Sequence, residues 1–310
     1  KIFVFFACIR LSMDRKVIMQ ELQKGSLKAL ARCITIVENE LEGHKEILKS
    51  LVFSEKTPVI GITGPPGAGK STLINALINH LSTAGKKIGV IAVDPTSPFN
   101  YGSLLGDRLR MSEHFNNPNV FIRSIATRGS LGGLSGKIME ITDVMRASDF
   151  DYIIVETVGV GQSEVEIAGL ADTTILVLVP EAGDEIQTIK SGIMEIADIY
   201  VVNKGDREGA EIFVKNLLQL VYLHKPGAWS TPVLKITATK NEGILKLAEA
   251  INQHFPISQN TKKKYLLTEK AFRLIQSKRM HDISKQNLLA DIERKMDESG
   301  FNVYSFAEAY

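Results

Sequence analysis

The sequence predicts an α/β protein built on a mostly parallel, doubly wound sheet, with helical extensions at both ends of the chain. Between residues 58 and 238, seven short apolar runs alternate with helical stretches, a pattern typical of parallel strands covered on both faces. Outside this region, apolar residues recur at steps of three, four and seven, which indicates amphipathic helices. The seven runs are PVIGIT, KIGVIAVD, NVFIRSI, DYIIVET, DTTILVLV, DIYVVN and TPVLKITA.

The composition is that of a globular protein and argues against several functional classes. Of 310 residues, 44% are hydrophobic and 23% are charged, as in folded domains. A formal net charge of +2 gives no field that attracts nucleic acid, so we expect no nucleic-acid partner. The cysteines, Cys8 and Cys33, form no Cys-x-x-Cys pair, which argues against a thiolate zinc site and favours a reducing, cytoplasmic location. No apolar run approaches the ~20 residues of a membrane helix, so we expect no membrane association.

Changes in pattern divide the chain into four parts. We expect residues 1–12 to be a non-native or disordered leader outside the fold, because the regular helical pattern begins at Met13. Residues 13–57 read as N-terminal helices, one of which Ser26 can cap. Residues 58–257 form the predicted α/β domain, and residues 258–310 return to helix.

A phosphate-binding loop follows the first predicted strand. The pattern G-x-x-x-x-G-K-S lies between that strand and a helix, where glycines let backbone N–H groups surround phosphate oxygens. Lys70 would reach the β- and γ-phosphates, and the Ser71 hydroxyl would bind Mg²⁺. The predicted nucleotide contacts of this P-loop are Gly64, Pro65, Pro66, Gly67, Ala68, Gly69, Lys70, Ser71 and Thr72.

The sixth predicted strand leads into a sequence that selects guanine. In Asn203-Lys204-Gly205-Asp206, the Asp206 carboxylate can accept both the N1–H and the 2-amino group of guanine. Adenine offers neither donor, so the carboxylate would lose its partners and ATP would bind poorly. Asn203 and the stem of Lys204 would shape the rest of the base pocket.

The seventh predicted strand ends in a second candidate base contact. It is followed by Thr237-Ala238-Thr239, where a tight turn can aim the Ala238 N–H at guanine O6. The motif is weak alone, and its position downstream of the P-loop strengthens it.

Acidic residues at other strand ends predict a magnesium site. The fourth run continues as Glu156-Thr-Val-Gly159, where many GTPases have D-x-x-G and the Gly N–H senses the γ-phosphate. The second run ends at Asp94, and Asp107 follows in a loop rich in Pro, Ser and Gly. Because Mg²⁺ prefers oxygen ligands, we predict Ser71, Asp94, Asp107 and Glu156 as its partners. Lys70, Glu156 and Asp94 are the predicted catalytic residues.

Together these segments closely resemble the MeaB/ArgK family of GTPases, called MMAA in animals, within the SIMIBI class of P-loop NTPases. The resemblance runs from about Leu27 to Phe255 and includes GITGPPGAGKSTLINAL, VDPTSPFNYGSLLGDRLRM and VETVGVGQSEVEIA. It implies a homodimeric metallochaperone that binds methylmalonyl-CoA mutase or a related acyl-CoA mutase. Such a protein uses GTP, with slow intrinsic hydrolysis stimulated by the partner, to gate adenosylcobalamin loading and protect the mutase.

The resemblance also implies three switch segments, at residues 94–107, 156–164 and 184–190. The third of them couples the nucleotide to the partner.

Residues 261–310 depart from the family pattern, because they contain no Trp and end in FNVYSFAEAY. We expect dimerisation through the helices of residues 14–50, 261–297 or both, since amphipathic helices must bury their apolar stripe. The alternative is that these stripes pack on the chain's own core.

Three other functional classes remain open from the sequence. The first is a nucleotide hydrolase or kinase linked to lysine/arginine/ornithine transport, although the N-K-x-D motif argues against ATP. The second is a nickel-insertion GTPase, disfavoured because the 6 His residues are scattered. The third is an interaction protein with an inactive site, disfavoured because Lys70, Ser71 and Asp206 are all present.

Overall fold

The fold is known from a computed structural model, and nine segments of the chain are described. They are residues 15–94, 111–126, 136–157, 167–183, 193–224, 229–261, 263–280, 282–296 and 301–309.

All seven predicted apolar runs form strands of one sheet, which confirms the predicted fold class. The strand order is β3-β2-β4-β1-β5-β6-β7, and each of the neighbouring pairs is parallel. All residues of the central strand β1 are buried, as expected for a sheet with both faces covered. The strands are β1 (Val59–Thr63), β2 (Ile88–Asp94), β3 (Val120–Ala126), β4 (Tyr152–Glu156), β5 (Thr173–Leu178), β6 (Ile199–Val202) and β7 (Val233–Lys235).

Helices cover both faces of the sheet. On one face, Ile60 and Ile62 of β1 share a buried apolar cluster with Leu73 of α4 and Leu247 of α8. On the other face, Val59 of β1 belongs to a second cluster that includes residues of α2 and α5. Alternate residues of one strand therefore serve two layers. The helices between and after the strands are α4 (Lys70–Thr83), α5 (Gly136–Arg146), α6 (Ile193–Ile196), α7 (Ala210–His224) and α8 (Ile244–Thr261).

The three N-terminal helices bury their apolar stripe within the chain. They are α1 (Arg15–Gln23), α2 (Leu27–Glu38) and α3 (His44–Ser50). Leu30, Ile34 and Val37 of α2 are fully buried in the second cluster, beside Ile138 of α5. The sequence predicts dimerisation through the apolar stripes of residues 14–50, 261–297 or both. The stripe of α2, in the first of these regions, is instead buried in the chain's own core.

Polar contacts also anchor these helices. The Ser26 Oγ accepts a hydrogen bond from the Ala29 N–H at 3.4 Å, which confirms the predicted cap of α2. Arg123 of β3 pairs with Glu38 at 2.5 Å, and Lys137 of α5 pairs with Glu40 at 2.7 Å. The N-terminal helices are thus part of the layer that covers the sheet.

Helix α8 is fixed to the amino edge of the sheet by a buried polar group. His254 Nδ1 hydrogen-bonds the Thr173 hydroxyl at 2.9 Å, and His254 Nε2 lies 3.4 Å from the Asp198 carboxylate. Asp198 Oδ2 also accepts the Thr174 N–H at 2.9 Å, so one acidic residue joins the starts of β5 and β6 to this helix.

The chain divides after residue 262 into two compact units. The second contains α9 (Lys263–Arg279), α10 (Lys285–Met296) and α11 (Val303–Ala309). Within it Phe306 is buried, with its ring centroid 6.0 Å from that of Phe301. Many large apolar side chains of this unit remain exposed: Leu267, Phe272, Leu274, Ile275, Met280, Leu289, Met296, Val303 and Tyr304.

None of the helices described is both long enough and apolar enough to span a bilayer.

Candidate nucleotide-binding site

The predicted site residues follow strands that end at one edge of the sheet. β1 leads into residues 64–69, and α4 begins at Lys70 with Gly69 as its N-cap. Glu156 is the last residue of β4, which pairs with β1. Asn203 follows β6 directly. Because all the strands are parallel, these segments meet at the carboxyl edge, where ligands of open α/β sheets bind.

Two glycines allow the P-loop to lie against its neighbours. Gly64 has φ 141°, and a Cβ at this position would lie 2.1 Å from the carbonyl oxygen of Val177 in β5. Gly69 has φ 84°, and a Cβ there would lie 2.5 Å from Asn203 Nδ2. Both the positive φ and the close approach exclude a larger residue. The glycine spacing of the motif is therefore set by packing as well as by the ligand.

The Lys70 ammonium lies inside the P-loop. The residue is buried, and Nζ donates to the carbonyl oxygens of Gly64 at 2.8 Å and Pro65 at 3.2 Å. An ammonium has three N–H donors, and two of its hydrogen bonds here go to the loop's own carbonyl oxygens. Phosphate oxygens that enter the loop would take up these donors, at the positive end of the α4 dipole.

Ser71 and Glu156 form a buried pair of oxygen donors. The Ser71 hydroxyl donates to Glu156 Oε1 at 2.8 Å, and both residues are buried. A hydroxyl and a carboxylate are hard ligands that suit Mg²⁺, so the donor set fits the ion. The longer side chain of Glu156, at the position where many GTPases have Asp, reaches Ser71 directly.

Several other predicted functional residues lie outside the described residues. This applies to Asp107, to Gly159, to the third switch at residues 184–190 and to most of the first two switches (residues 95–107 and 158–164). It applies also to the side chain of Asp94. The backbone of Asp94 ends β2, and the register pairs Ala92 with Glu156, so Asp94 follows Glu156 at the same edge. Within the described segments, no group of three or more His, Cys, Asp or Glu residues could hold a metal.

Asn203 joins the P-loop to the segment that the sequence predicts to select the base. Its buried side chain donates from Nδ2 to the Ala68 carbonyl at 2.9 Å and to the Gly69 carbonyl at 3.4 Å. Its Oδ1 accepts the Ala238 N–H at 3.3 Å. The Ala238 N–H, which the sequence predicts to face guanine O6, donates to Asn203 in the structure. The bridging role of Asn203 was missed.

The loops after β6 and β7 also contact each other directly. The Gly205 N–H donates to the Ile236 carbonyl at 2.9 Å. The Asp206 carboxylate lies 3.1 Å from the Lys240 ammonium, and this hydrogen bond lowers the pKa of Asp206 below its ordinary value. Lys240 directly follows the predicted Thr237–Thr239 motif. A basic residue beside a predicted base-contact motif is the only sequence feature that hints at its pairing with Asp206.

Comparison with known proteins identifies relatives along most of the chain. The family model of the methylmalonyl Co-A mutase-associated GTPase MeaB matches residues 30–296. The match includes the C-terminal helices α9 and α10. It therefore extends beyond Phe255, where the resemblance based on the motifs ends. A predicted GTPase of Pyrococcus horikoshii is 49% identical over 242 residues, 76% of each chain. GTPase ArgK of Escherichia coli is 37% identical over 243 residues, 75% of this chain and 73% of the relative.

One solved structure covers nearly the whole chain. It is the crystal structure of a LAO/AO transport system kinase, with a TM-score of 0.70 and 25% sequence identity, covering 96% of this chain and 97% of that one. The coverage includes residues of both units, the first of which is α/β and the second helical.

We predict that Asn203→Ala destabilises the nucleotide-free protein. The substitution leaves two buried backbone groups, the Ala68 carbonyl and the Ala238 N–H, without this partner, which costs about 1–3 kcal/mol of unfolding free energy. Urea unfolding measures it. The control is Asn252→Ala, since Asn252 accepts a hydrogen bond from the Tyr152 hydroxyl at an exposed position. Equal effects of the two substitutions would show that the bridge adds no more stability than an exposed hydrogen bond.

Proposed function

The chain belongs to the MeaB family of GTPases, and on that premise we propose that it chaperones an adenosylcobalamin-dependent acyl-CoA mutase. GTP hydrolysis would gate loading of the mutase with its cofactor and protect it from inactivation. The observation that carries the nucleotide chemistry is the grouping of Lys70, Ser71 and Glu156 at the P-loop. The mutase role is supported by the description of the family.

The P-loop residues supply the phosphate chemistry. Hydrolysis joins a water oxygen to the γ-phosphorus and breaks the bond to the β-phosphate, which yields GDP and inorganic phosphate. Lys70 and the loop N–H groups would bind the β- and γ-phosphate oxygens and stabilise the charge that develops on them. A helix N-terminus and a buried ammonium are fixed before the reaction, so little reorganisation is needed.

We further propose that Ser71 and Glu156 hold Mg²⁺, together with Asp94 and Asp107. When bound, the ion neutralises charge on the β- and γ-phosphates. The Ser71 hydroxyl and the Glu156 carboxylate are held 2.8 Å apart by their hydrogen bond, directly after the P-loop lysine. Gly159 would sense the γ-phosphate through its N–H.

The base pocket would be formed by the segments after β6 and β7. Asp206 accepts the N1–H and 2-amino group of guanine, while Asn203, Lys204 and the Thr237–Thr239 turn form the rest of the pocket. Because Asn203 contacts both the P-loop and Ala238, the phosphate and base halves of the site are joined through one buried amide.

A second candidate is a role in amino-acid transport, favoured by the name of the LAO/AO transport system kinase that shares this fold. The two functions differ in partner and in phosphate acceptor. A kinase transfers the phosphoryl group to a protein or metabolite, whereas the proposed chaperone transfers it to water. Analysis of the phosphorylated products therefore separates them.

We predict that the protein binds GTP more tightly than ATP and that Asp206→Asn removes this preference. The amide places an N–H donor where guanine requires an acceptor, and the loss of a charge-assisted contact costs about 1.5–3 kcal/mol. Calorimetric titration with both nucleotides measures the change. Asp149→Asn, at another exposed acid, is the control. A wild-type protein that binds ATP as tightly as GTP would refute the base pocket.

We predict that a purified methylmalonyl-CoA mutase is retained by the protein loaded with a non-hydrolysable GTP analogue and accelerates its GTP hydrolysis. Lys70→Ala should nearly abolish hydrolysis with and without the mutase, because the ammonium stabilises the transferring phosphoryl group. Affinity capture and phosphate release are the measurements. If hydrolysis is normal but related acyl-CoA mutases are neither retained nor stimulatory, the GTPase assignment stands and the mutase role fails.

We propose that the protein is a homodimer and that the exposed apolar side chains of α9 contribute to the interface. Light scattering should give a dimer at micromolar concentration. Leu274→Glu combined with Ile275→Glu should shift it toward monomer, since charges in an apolar interface are costly. Gln276→Glu, at the next exposed position of α9, is the matched control. A full chain that is monomeric at this concentration would refute the proposal.

A further inference from the structure

Two loops at the carboxyl edge are joined by two direct contacts, and a third contact lies just before the second loop. We call them the aspartate loop, residues 203–206, and the lysine loop, residues 237–242. The Asn203 side chain accepts the Ala238 N–H, the Gly205 N–H donates to the Ile236 carbonyl just before the lysine loop, and the Asp206 carboxylate pairs with the Lys240 ammonium. The contacts of Asn203 and Gly205 involve backbone groups, and the Asp206–Lys240 pair involves only side chains.

The lysine loop is a closed turn that gives Lys240 a defined position. The Thr237 N–H donates to the Glu242 carbonyl at 3.1 Å, and the Glu242 N–H donates back to the Thr237 carbonyl at 3.3 Å. Lys240 ends the short 3-10 turn Ala238–Lys240, and Asn241 follows it with φ 56°. The stem of Lys240 therefore starts from a backbone that is fixed by its own hydrogen bonds.

We propose that Lys240 is a positioning residue for guanine recognition: its ammonium fixes the orientation of the Asp206 carboxylate in the base pocket. The inference rests on the proposed role of Asp206 in selecting guanine. Lys240 touches neither the base nor the phosphates in this scheme and acts through Asp206.

The carboxylate can hold the lysine and the base at the same time. Two carboxylate oxygens offer about four acceptor positions. Guanine needs two of them, for N1–H and the 2-amino group, and Lys240 approaches Oδ2 at 3.1 Å. An Asp206 side chain without this partner would have to lose its rotational freedom when the nucleotide binds. With Lys240 in place, part of that loss has already occurred in the nucleotide-free protein.

The pair also affects the pH range in which Asp206 is an acceptor. The Lys240 hydrogen bond holds the pKa of Asp206 low, and Asp206 in turn raises the pKa of Lys240. The nearby charged residues in sequence are Lys204, Arg207 and Glu208 around Asp206, and Glu242 beside Lys240. Lys235 packs against Gly205. Arg207 is paired with Glu181, and Lys235 is paired with Glu211. Since guanine requires the ionised carboxylate, binding is lost as the pH falls through the pKa of Asp206. Removal of Lys240 should move this loss to higher pH.

The test is calorimetric titration of GDP across the acid range with the full chain. Lys240→Met removes the charge and keeps most of the stem, and Lys240→Arg keeps a charge. Lys86→Met is the matched control, because Lys86 forms a comparable exposed pair with Asp151, 3.3 Å apart, before the start of β2. Titration of the GDP phosphates is common to all variants and cancels in the comparison.

We expect Lys240→Met to weaken GDP binding at neutral pH by about two- to fivefold, the range of exposed ion pairs, and to shift the acid loss of binding to higher pH. Lys240→Arg should retain most of the wild-type GDP affinity and pH profile. Lys86→Met should leave the GDP affinity and the pH profile unchanged. An unchanged pH profile in Lys240→Met, or tighter GDP binding, would overturn the proposal. A wild-type protein without preference for GDP over ADP would instead refute the base pocket itself. A failure of the proposed role of Lys240 is therefore distinguishable from a failure of guanine recognition by Asp206.

Discussion

In an all-parallel sheet every strand ends at the same edge, and the arrangement of this protein's site follows from that constraint. β1, β4, β6 and β7 each deliver one functional segment to the carboxyl edge. Segments far apart in the chain thereby become neighbours, and side chains can join them. The Ser71–Glu156 and Asn203–Ala68 hydrogen bonds both connect segments that no local turn could bring together.

The order of the strands decides which segments meet. β1 lies between β4 and β5, so the P-loop has Glu156 on one side and the end of β5 on the other. β6 comes next, and its position lets Asn203 reach the P-loop backbone. The predicted phosphate and base segments are thus brought together by topology, and one buried amide completes the connection.

Much of the fold could be predicted from the sequence, because its signals are local. Each strand has its own apolar run, Ser26 marks the start of α2, and the P-loop and N-K-x-D motifs consist of adjacent residues. The missed features are long-range contacts. Asn203 and Ala68 are 135 residues apart, and nothing near either residue indicates the bond. Likewise, periodicity shows that α2 has an apolar stripe, whereas only the packed structure shows that its own core covers it.

The close fit between Gly69 and Asn203 has a consequence for how the two motifs can vary. A methyl group at residue 69 would lie 2.5 Å from Asn203 Nδ2, and the same amide donates to the carbonyl of Ala68. A mutation in the phosphate motif therefore displaces a side chain of the guanine motif, although the two are encoded far apart. In evolutionary terms the two positions are coupled: a larger residue at position 69 would meet both the unfavourable positive φ and the amide at residue 203. Displacement of that amide would break the contacts that Asn203 makes with both loops. The two motifs should consequently be inherited, or abandoned, together.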